Sequence, residues 1–331
     1  MWRMKLNAFN VTVQGASHIK INKECQDASK SFCCEDYAIA VVCDGHGGED
    51  YIRSATGSEK ACQIALKNIQ EFIAQIDRET LRRQSESAIR TLEASIITEW
   101  NKQIEEHWKA NPITDEELSV LSDKAKRRYM ERNVFQSAYG TTLIAAVIAK
   151  DFWFCFQVGD GKCVWISRES QFAFLQLDEK CFLNATTSLC DSDALEHFHN
   201  YFSEDLPAAV FVGTDGVDDS FKNEDQLNNF YKAICYSFAN SDTDKAQDEL
   251  KDYLPRLSQK GSADDISVAA VLNMDILPDI ELVKEYNRAD EEAKKIQAEQ
   301  EEEKRNNDLK KAYEQKQRLQ EKVHEKQETI G

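Results

Sequence analysis

Six short apolar runs punctuate the chain: Tyr37 to Cys43, Thr142 to Ala149, Phe152 to Val158, Cys163 to Ser167, Ala208 to Val212 and Ile266 to Leu272. Each is rich in β-branched or aromatic side chains and is bounded by polar residues or glycine, the pattern of a buried strand. Between the first and second runs the pattern changes. From about Glu49 to Arg132 there is little Gly or Pro, and apolar residues recur at helical spacing (Ile64, Leu66, Ile69, Ile73, Ile76), which predicts two or more long helices joined near Asn111-Pro112. Helix is predicted again for Glu224 to Leu257, and a hairpin-like turn at Lys150-Asp151. The stretch from Ser167 to Pro207 is mixed and weakly periodic, which suggests a small helical or irregular insertion. Pieces of sheet separated by long helices, without regular βαβ alternation, point to an α+β fold with largely antiparallel sheets and helices on their outer faces.

The end of the chain has its own pattern. Residues 281 to 331 hold 14 acids and 12 bases and no Pro, a composition that favours one long charged helix. Apolar residues at Tyr286, Ala289, Ala293 and Ile296, then Leu309, Ala312, Leu319 and Val323, follow heptad steps that Gln300, Glu303 and Asn307 interrupt. Two readings stay open, a solvated single helix or a coiled coil through which residues 281–331 self-associate or bind a partner. The division expected is a domain over residues 1–278 and a charged helical tail over 279–331.

Composition closes several functional classes. The chain has 331 residues, 41% of them hydrophobic, enough to bury a sizeable core. No apolar run of about 18 residues appears, and Met1 to Asn10 lacks the regions of a signal peptide, so a soluble, cytoplasmic protein with no membrane partner is expected. A net charge of −18 argues against sequence-independent nucleic-acid binding, which needs clustered Lys and Arg. The ten cysteines lie in apolar stretches (Cys43, Cys155, Cys163, Cys235) without metal-ligand spacing, and Cys33-Cys34 are adjacent, so reduced buried thiols are expected rather than disulfides or zinc.

The candidate chemistry sits where strands end. Val42-Cys43 runs into Asp44-Gly45-His46-Gly47-Gly48, Gln157-Val158 into Gly159-Asp160-Gly161, and Phe211-Val212 into Gly213-Thr214-Asp215-Gly216. A fourth acidic pair, Asp264-Asp265, precedes the run that starts at Ile266. The start of one antiparallel strand lies beside the end of its neighbour, so all four sites can meet at one sheet edge. Asp-Gly after a strand is ordinarily only a turn, but four such sites together form a cluster of carboxylates that repel one another unless cations hold them. All-oxygen ligands favour Mg²⁺ or Mn²⁺, and two such ions can acidify a water for attack on a phosphoester.

Six segments then carry a resemblance: Gln26-Asp27-Ala28, Asp44-Gly45-His46-Gly47-Gly48, Gly140-Thr141-Thr142, Gly159-Asp160-Gly161, Thr214-Asp215-Gly216-Val217 and Gly261-Ser262-Ala263-Asp264-Asp265-Ile266-Ser267. In order and setting they resemble the metal-dependent type 2C serine/threonine protein phosphatases, in a divergent bacterial-type branch, over about residues 10 to 275. The resemblance implies two packed antiparallel sheets flanked by helices, with the metal site at one end of the sandwich. It implies that Asp44 bridges two Mg²⁺ or Mn²⁺ ions, that the Gly45 carbonyl binds one, and that Asp215 and Asp264 bind the other. It implies further that Asp27 holds waters around the ions, that Asp160 with Asp219 forms a weaker third site, and that His46 is the general acid for the leaving Ser or Thr oxygen. The substrate implied is a phosphorylated protein in a signalling role.

One position departs from the family's pattern. Asn22 stands where the phosphate-gripping Arg is usual, five residues before Asp27, and Gln26 stands beside the Asp where Glu or Asn is common. Lys20, Lys23 and His18 lie nearby, but the lysines read as a solvated face and His18 as exposed or capping. The missing Arg keeps two other readings alive. One is a pseudophosphatase that serves as a scaffold through its tail, and the other is an enzyme acting on a small phosphorylated metabolite.

Overall fold

The computed structural model describes residues 4–131, 135–181 and 185–328. Two compact units divide the chain, one running through Val283 and one from Lys284 onward.

Among the described residues the first unit is built on ten strands: β1 (Leu6–Val13), β2 (Ala28–Cys33), β3 (Tyr37–Cys43), β4 (Leu143–Ala149), β5 (Trp153–Val158), β6 (Lys162–Ile166), β7 (Phe172–Phe174), β8 (His199–Ser203), β9 (Ala209–Gly213) and β10 (Ile266–Asn273). They form two five-stranded antiparallel sheets, in the orders β1-β10-β9-β6-β7 and β2-β3-β4-β5-β8. The side chains of one strand alternate between two apolar layers. In β3, Ala38, Ala40 and Val42 face the other sheet and meet Ala269 and Val271 of β10, whereas Ile39, Val41 and Cys43 face outward onto helices. Burial on both faces is the reason these runs are apolar at nearly every position.

The helices cover the outer faces. Against the second sheet lie α2 (Ser54–Gln75) and α4 (Ser85–Ala110), whose Ile64, Ile69, Ile96 and Trp100 enter the same core as Ile39 and Phe154. Against the first sheet lie α9 (Glu224–Asn240) and α10 (Thr243–Lys260), packing Tyr231, Phe238 and Leu254 on Phe9 and Phe211. Short helices fill the connections: α1 (Ala16–Lys20), α3 (Arg78–Arg83), α5 (Asp115–Ser119), α6 (Asp123–Glu131), α7 (Phe135–Ala138) and α8 (Asp215–Asp218). Two breaks in the helical regions come from N-caps. The Asp77 carboxylate accepts the Thr80 N–H and starts α3, and Asp242 accepts the Lys245 N–H and starts α10.

All six apolar runs are strands, within a residue at their ends. Of the other four strands, β1, β2 and β8 carry polar residues such as Asn7, Asn10, Ser29, Lys30 and Asn200, and β7 (Phe172-Ala173-Phe174) is too short to read as an apolar run. Backbone pairing holds them instead, β1 on β10, β2 on β3, β7 on β6 and β8 on β5, and Asn10 Nδ2 of β1, which donates to the Ser29 carbonyl and hydroxyl of β2 at 3.1 Å, links the two sheets. Among the described residues, the insertion from Ser167 to Pro207 holds β7, a 3₁₀ turn (Ala194–His197) and β8.

The last helix, α11, spans Glu281–Glu328. Its first residues belong to the core, since Leu282 and Val283 are buried with Leu277 and Ile280 in the layer beside β10. Farther along, Tyr286, Ile296 and Leu309 are exposed. The side chains of Glu303, Asn307, Ala312, Leu319 and Val323, which the heptad reading used, lie outside the described residues. Among the described residues no helix is long and apolar enough to cross a membrane.

Candidate metal centre

The acidic residues meet at one end of the sandwich, but not along one sheet edge. Asp27 enters β2, Asp44 leaves β3 and Asp160 follows β5, all in one sheet, whereas Asp215 follows β9 and Asp264 precedes β10 in the other. The expectation of a single edge is corrected: the cluster bridges the two layers, and sheet packing as well as strand direction brings the acids together.

The loops that hold Asp44 are locked by hydrogen bonds. Thr142 Oγ1 accepts the Asp44 N–H at 2.9 Å, and the Asp44 carbonyl accepts both the Thr141 hydroxyl and the Thr142 N–H at 2.8 Å. Gly45 is obligatory, because a Cβ there would lie 2.5 Å from the Gln26 carbonyl oxygen and 2.8 Å from that of Ser54. Gly216 is equally confined, with the Asp265 carbonyl oxygen 2.0 Å from where its Cβ would be. The buried Gln26 amide donates to the His46 carbonyl at 3.1 Å and to Ser54 Oγ at 2.5 Å, so the residue before Asp27 ties two of the loops together.

The electrostatics are those of crowded carboxylates. Burial pushes the Asp44 carboxyl well above the usual range, and the negative charges of Asp27 and Asp215 push it further. Asp27 is raised by burial and by Asp265 and Asp215, against a lowering hydrogen bond from Thr214. Asp215 is pushed up to about 6 by burial, with Asp160, Asp264 and Asp219 adding to the rise. Asp160 is raised by burial and then by Asp219, and a hydrogen bond from Thr186 opposes the rise. Asp44 and Asp215 lie close enough that their contact raises one carboxyl and lowers the other, and a proton held between two such groups would relieve their repulsion. A cation placed among these groups would replace that proton and offset the repulsion, and oxygen donors suit Mg²⁺ or Mn²⁺. The donor set fits the expected ions.

His46 packs edge-on against Tyr51, with ring centroids 4.9 Å apart and planes at 72°. Burial pulls its pKa down to about 4, and among the described residues its Nε2 is buried without a hydrogen-bond partner. The imidazole two residues from Asp44 is thus held neutral with a buried nitrogen whose hydrogen-bonding capacity is unused among the described residues. Asp219 is exposed at the rim and reaches the cluster through its charge on Asp215 and Asp160.

Two further residues emerge from the geometry. Thr214 Oγ1 donates to Asp27 Oδ2 at 2.7 Å. Asp265, only 3% exposed, accepts the backbone N–H groups of Gly15 and Gln26, each at 2.6 Å, and pairs with His18 Nδ1 at 2.9 Å. The expectation that His18 is exposed or capping is therefore corrected, since its side chain is 12% exposed and held by a buried carboxylate. The signal for Asp265 was its adjacency to Asp264, but only the fold shows that one faces the cluster and the other pins a loop.

A family model described as protein phosphatase 2C matches residues 14–255, which stops short of Asp264 and Asp265. The comparison with curated proteins finds no match. Among solved structures, a bacterial serine phosphatase is 14% identical, with a TM-score of 0.50 over 81% of this chain and 98% of that one. A serine/threonine phosphatase of S. agalactiae is 17% identical, with a TM-score of 0.49 over 81% and 99% of the two chains. The catalytic domain of the serine/threonine protein phosphatase PstP, solved with two manganese ions, is 14% identical, with a TM-score of 0.47 over 81% and 97%. At such identities the first of these likenesses speaks to the fold alone.

Proposed function

Because the chain belongs to the protein phosphatase 2C family, the metal-dependent serine/threonine phosphatases, we propose that it hydrolyses phosphoserine and phosphothreonine on proteins with two Mg²⁺ or Mn²⁺ ions held at the acid cluster. The observation that carries this reading is the meeting of Asp27, Asp44 and Asp215 at one end of the sandwich, where burial first and neighbouring acids second push their carboxyls up, a cost that bound cations would offset. Asp44 would hold both ions, the Gly45 carbonyl one of them, and Asp215 and Asp264 the other. Asp27 would position the waters around them, and Asp160 with Asp219 would form a weaker third site. When bound, such ions supply a water acidic enough to attack near neutral pH and neutralise charge on the phosphate.

The protein's own groups do the rest. Thr141 and Thr142 fix Asp44 by its backbone. Tyr51 packs on the His46 ring, which would serve as general acid for the departing Ser or Thr oxygen only in its protonated form, a state that burial disfavours near neutral pH. The ten free thiols fit a reducing cytoplasm. The tail, with Ile296 and Leu309 exposed, would serve self-association or a partner outside the catalytic unit.

The test is release of phosphate from a phosphothreonine peptide and from p-nitrophenyl phosphate by purified protein with Mn²⁺, with Mg²⁺ and with EDTA. Turnover that needs metal, stops with EDTA and is abolished by Asp44→Ala supports the reading. A folded protein with no turnover under either metal sinks it. That outcome favours the second reading, a pseudophosphatase scaffold, for which the specific observation is Asn22 in the position of the usual Arg.

A further inference from the structure

If the chain is a phosphatase, as proposed above, its substrate's phosphate lacks the usual Arg. Asn22 does not replace it. This residue is exposed, with φ at 53°, a left-handed turn conformation that Asn tolerates well, and its amide carries no charge to hold an anion.

Lys23 is placed differently. Its N–H donates to the His18 carbonyl at 3.0 Å and its own carbonyl accepts from Gln14 Nε2 at 2.5 Å, so the backbone is held on both sides. Its ammonium donates to His18 Nε2 at 3.2 Å. It also stands 3.8 Å from where a Cβ on Gly47 would lie, beside the loop that carries Asp44, Gly45 and His46. His18 is aimed from its other nitrogen, Nδ1, which lies 2.9 Å from Asp265 Oδ2. With the Nδ1 proton directed at that carboxylate, Nε2 keeps its lone pair, the acceptor an ammonium needs. A line of contacts therefore runs from Asp265 at the start of β10, through His18, to Lys23 at the rim of the acid cluster. Among the described residues Lys23 has no carboxylate partner, and His18 occupies only one of its three ammonium protons.

His18, Asp264 and Asp265 also come within 4.8 Å of one another, a spacing that could hold a metal ion. Two facts argue against that use. Asp265 already spends Oδ1 on Gly15 N–H and Oδ2 on Gln26 N–H and His18, and the Lys23 ammonium at His18 Nε2 would meet a metal as a like charge.

We propose that Lys23, aimed by the Asp265–His18 pair, binds the phosphate oxygens of the substrate in place of the missing Arg. A Lys holds phosphate as a point charge on a flexible stem and not as a planar fork, so it contributes to binding more than to orientation. Its removal is then read mainly in affinity and KM, with a smaller change in kcat.

The experiment measures binding of inorganic phosphate by calorimetry to the Mn²⁺-loaded full chain, together with p-nitrophenyl phosphate kinetics. The variants are Lys23→Met, Lys23→Arg, His18→Ala and, as control, the exposed Lys20→Met. Lys23→Met should raise the phosphate Kd and the KM by roughly ten- to hundredfold, the scale of a lost charge-assisted hydrogen bond. Lys23→Arg should recover all but a few-fold of this, and Lys20→Met should match the wild type. His18→Ala should lose less than Lys23→Met, and the double variant no more than Lys23→Met alone, because His18 acts through the lysine. Should Lys23→Met fail to fold, Lys23→Gln carries the same comparison. Wild-type turnover with phosphate affinity unchanged in Lys23→Met overturns this inference and leaves the phosphatase reading standing. Lys23-dependent phosphate binding without turnover does the reverse. A wild type that neither binds phosphate nor turns over overturns both.

Discussion

Thr214 Oγ1 donates to Asp27 Oδ2 at 2.7 Å, and this one bond joins the end of β9 in the first sheet to the loop entering β2 in the second. The same hydroxyl accepts the Ser267 N–H at 3.0 Å, so its own direction is fixed by β10. Among the groups around Asp27 it is the main one that favours the charged carboxylate against burial and neighbouring acids.

Thr214→Val should therefore weaken metal binding without emptying the site. Groups that orient ligands without touching the ion typically change metal affinity by about 10- to 100-fold. The Mn²⁺ concentration for half-maximal turnover, checked by direct Mn²⁺ calorimetry, should rise by that order, and Thr214→Ser should restore it. An unchanged Mn²⁺ requirement in a folded Thr214→Val protein would show that Asp27 does not depend on this bond.

The junction with the tail gives a second prediction. Ile280, Leu282 and Val283 are buried in the layer beside β10, at 2%, 7% and 0% exposure, although they lie in or next to the charged segment. A chain ending at Lys284 should keep the wild-type turnover of p-nitrophenyl phosphate and its melting temperature. A chain ending at Asp279 loses all three side chains, each contributing about 1.5–3 kcal/mol when fully buried, and should melt many degrees lower. Equal melting temperatures for the two truncations would place these residues outside the stabilising core.

Glu93 of α4 carries a third. It has no exposed surface, its Oε1 accepts from Asn200 Nδ2 at 3.0 Å, and its Oε2 has no partner among the described residues. Burial pushes its carboxyl from 4.5 up to about 7. The folded state thus holds the proton more tightly than the unfolded chain, so this stabilisation is complete below the unfolded value and is lost as pH rises through about 7. The loss should reach on the order of 2–3 kcal/mol by mildly alkaline pH. Glu93→Gln keeps the acceptor for Asn200 and removes the charge. It should melt about 5 °C or more above the wild type at pH 8.5 and near it at pH 5. Melting curves across that range check this, and parallel pH profiles for the two proteins would refute it.

The sequence determined by itself what each segment must bury or turn. Strands covered on both faces, such as β3, β4 and β10, are apolar at nearly every position and were legible as runs. The acids beside Gly at strand ends were legible for the same local reason, since a turn and a carboxylate are properties of a few adjacent residues. The tertiary structure decided what depends on distant partners. β1, β2, β7 and β8 are strands because a neighbour supplies their hydrogen bonds, and no periodicity in Ala28–Cys33 or His199–Ser203 announces that neighbour. Likewise, Asp264 and Asp265 are identical in composition and adjacent in sequence, yet one is exposed at the cluster and the other is buried under Gly15, Gln26 and His18. Successive side chains point to opposite sides of an extended backbone, and which side becomes the site is settled only when the two sheets close on each other.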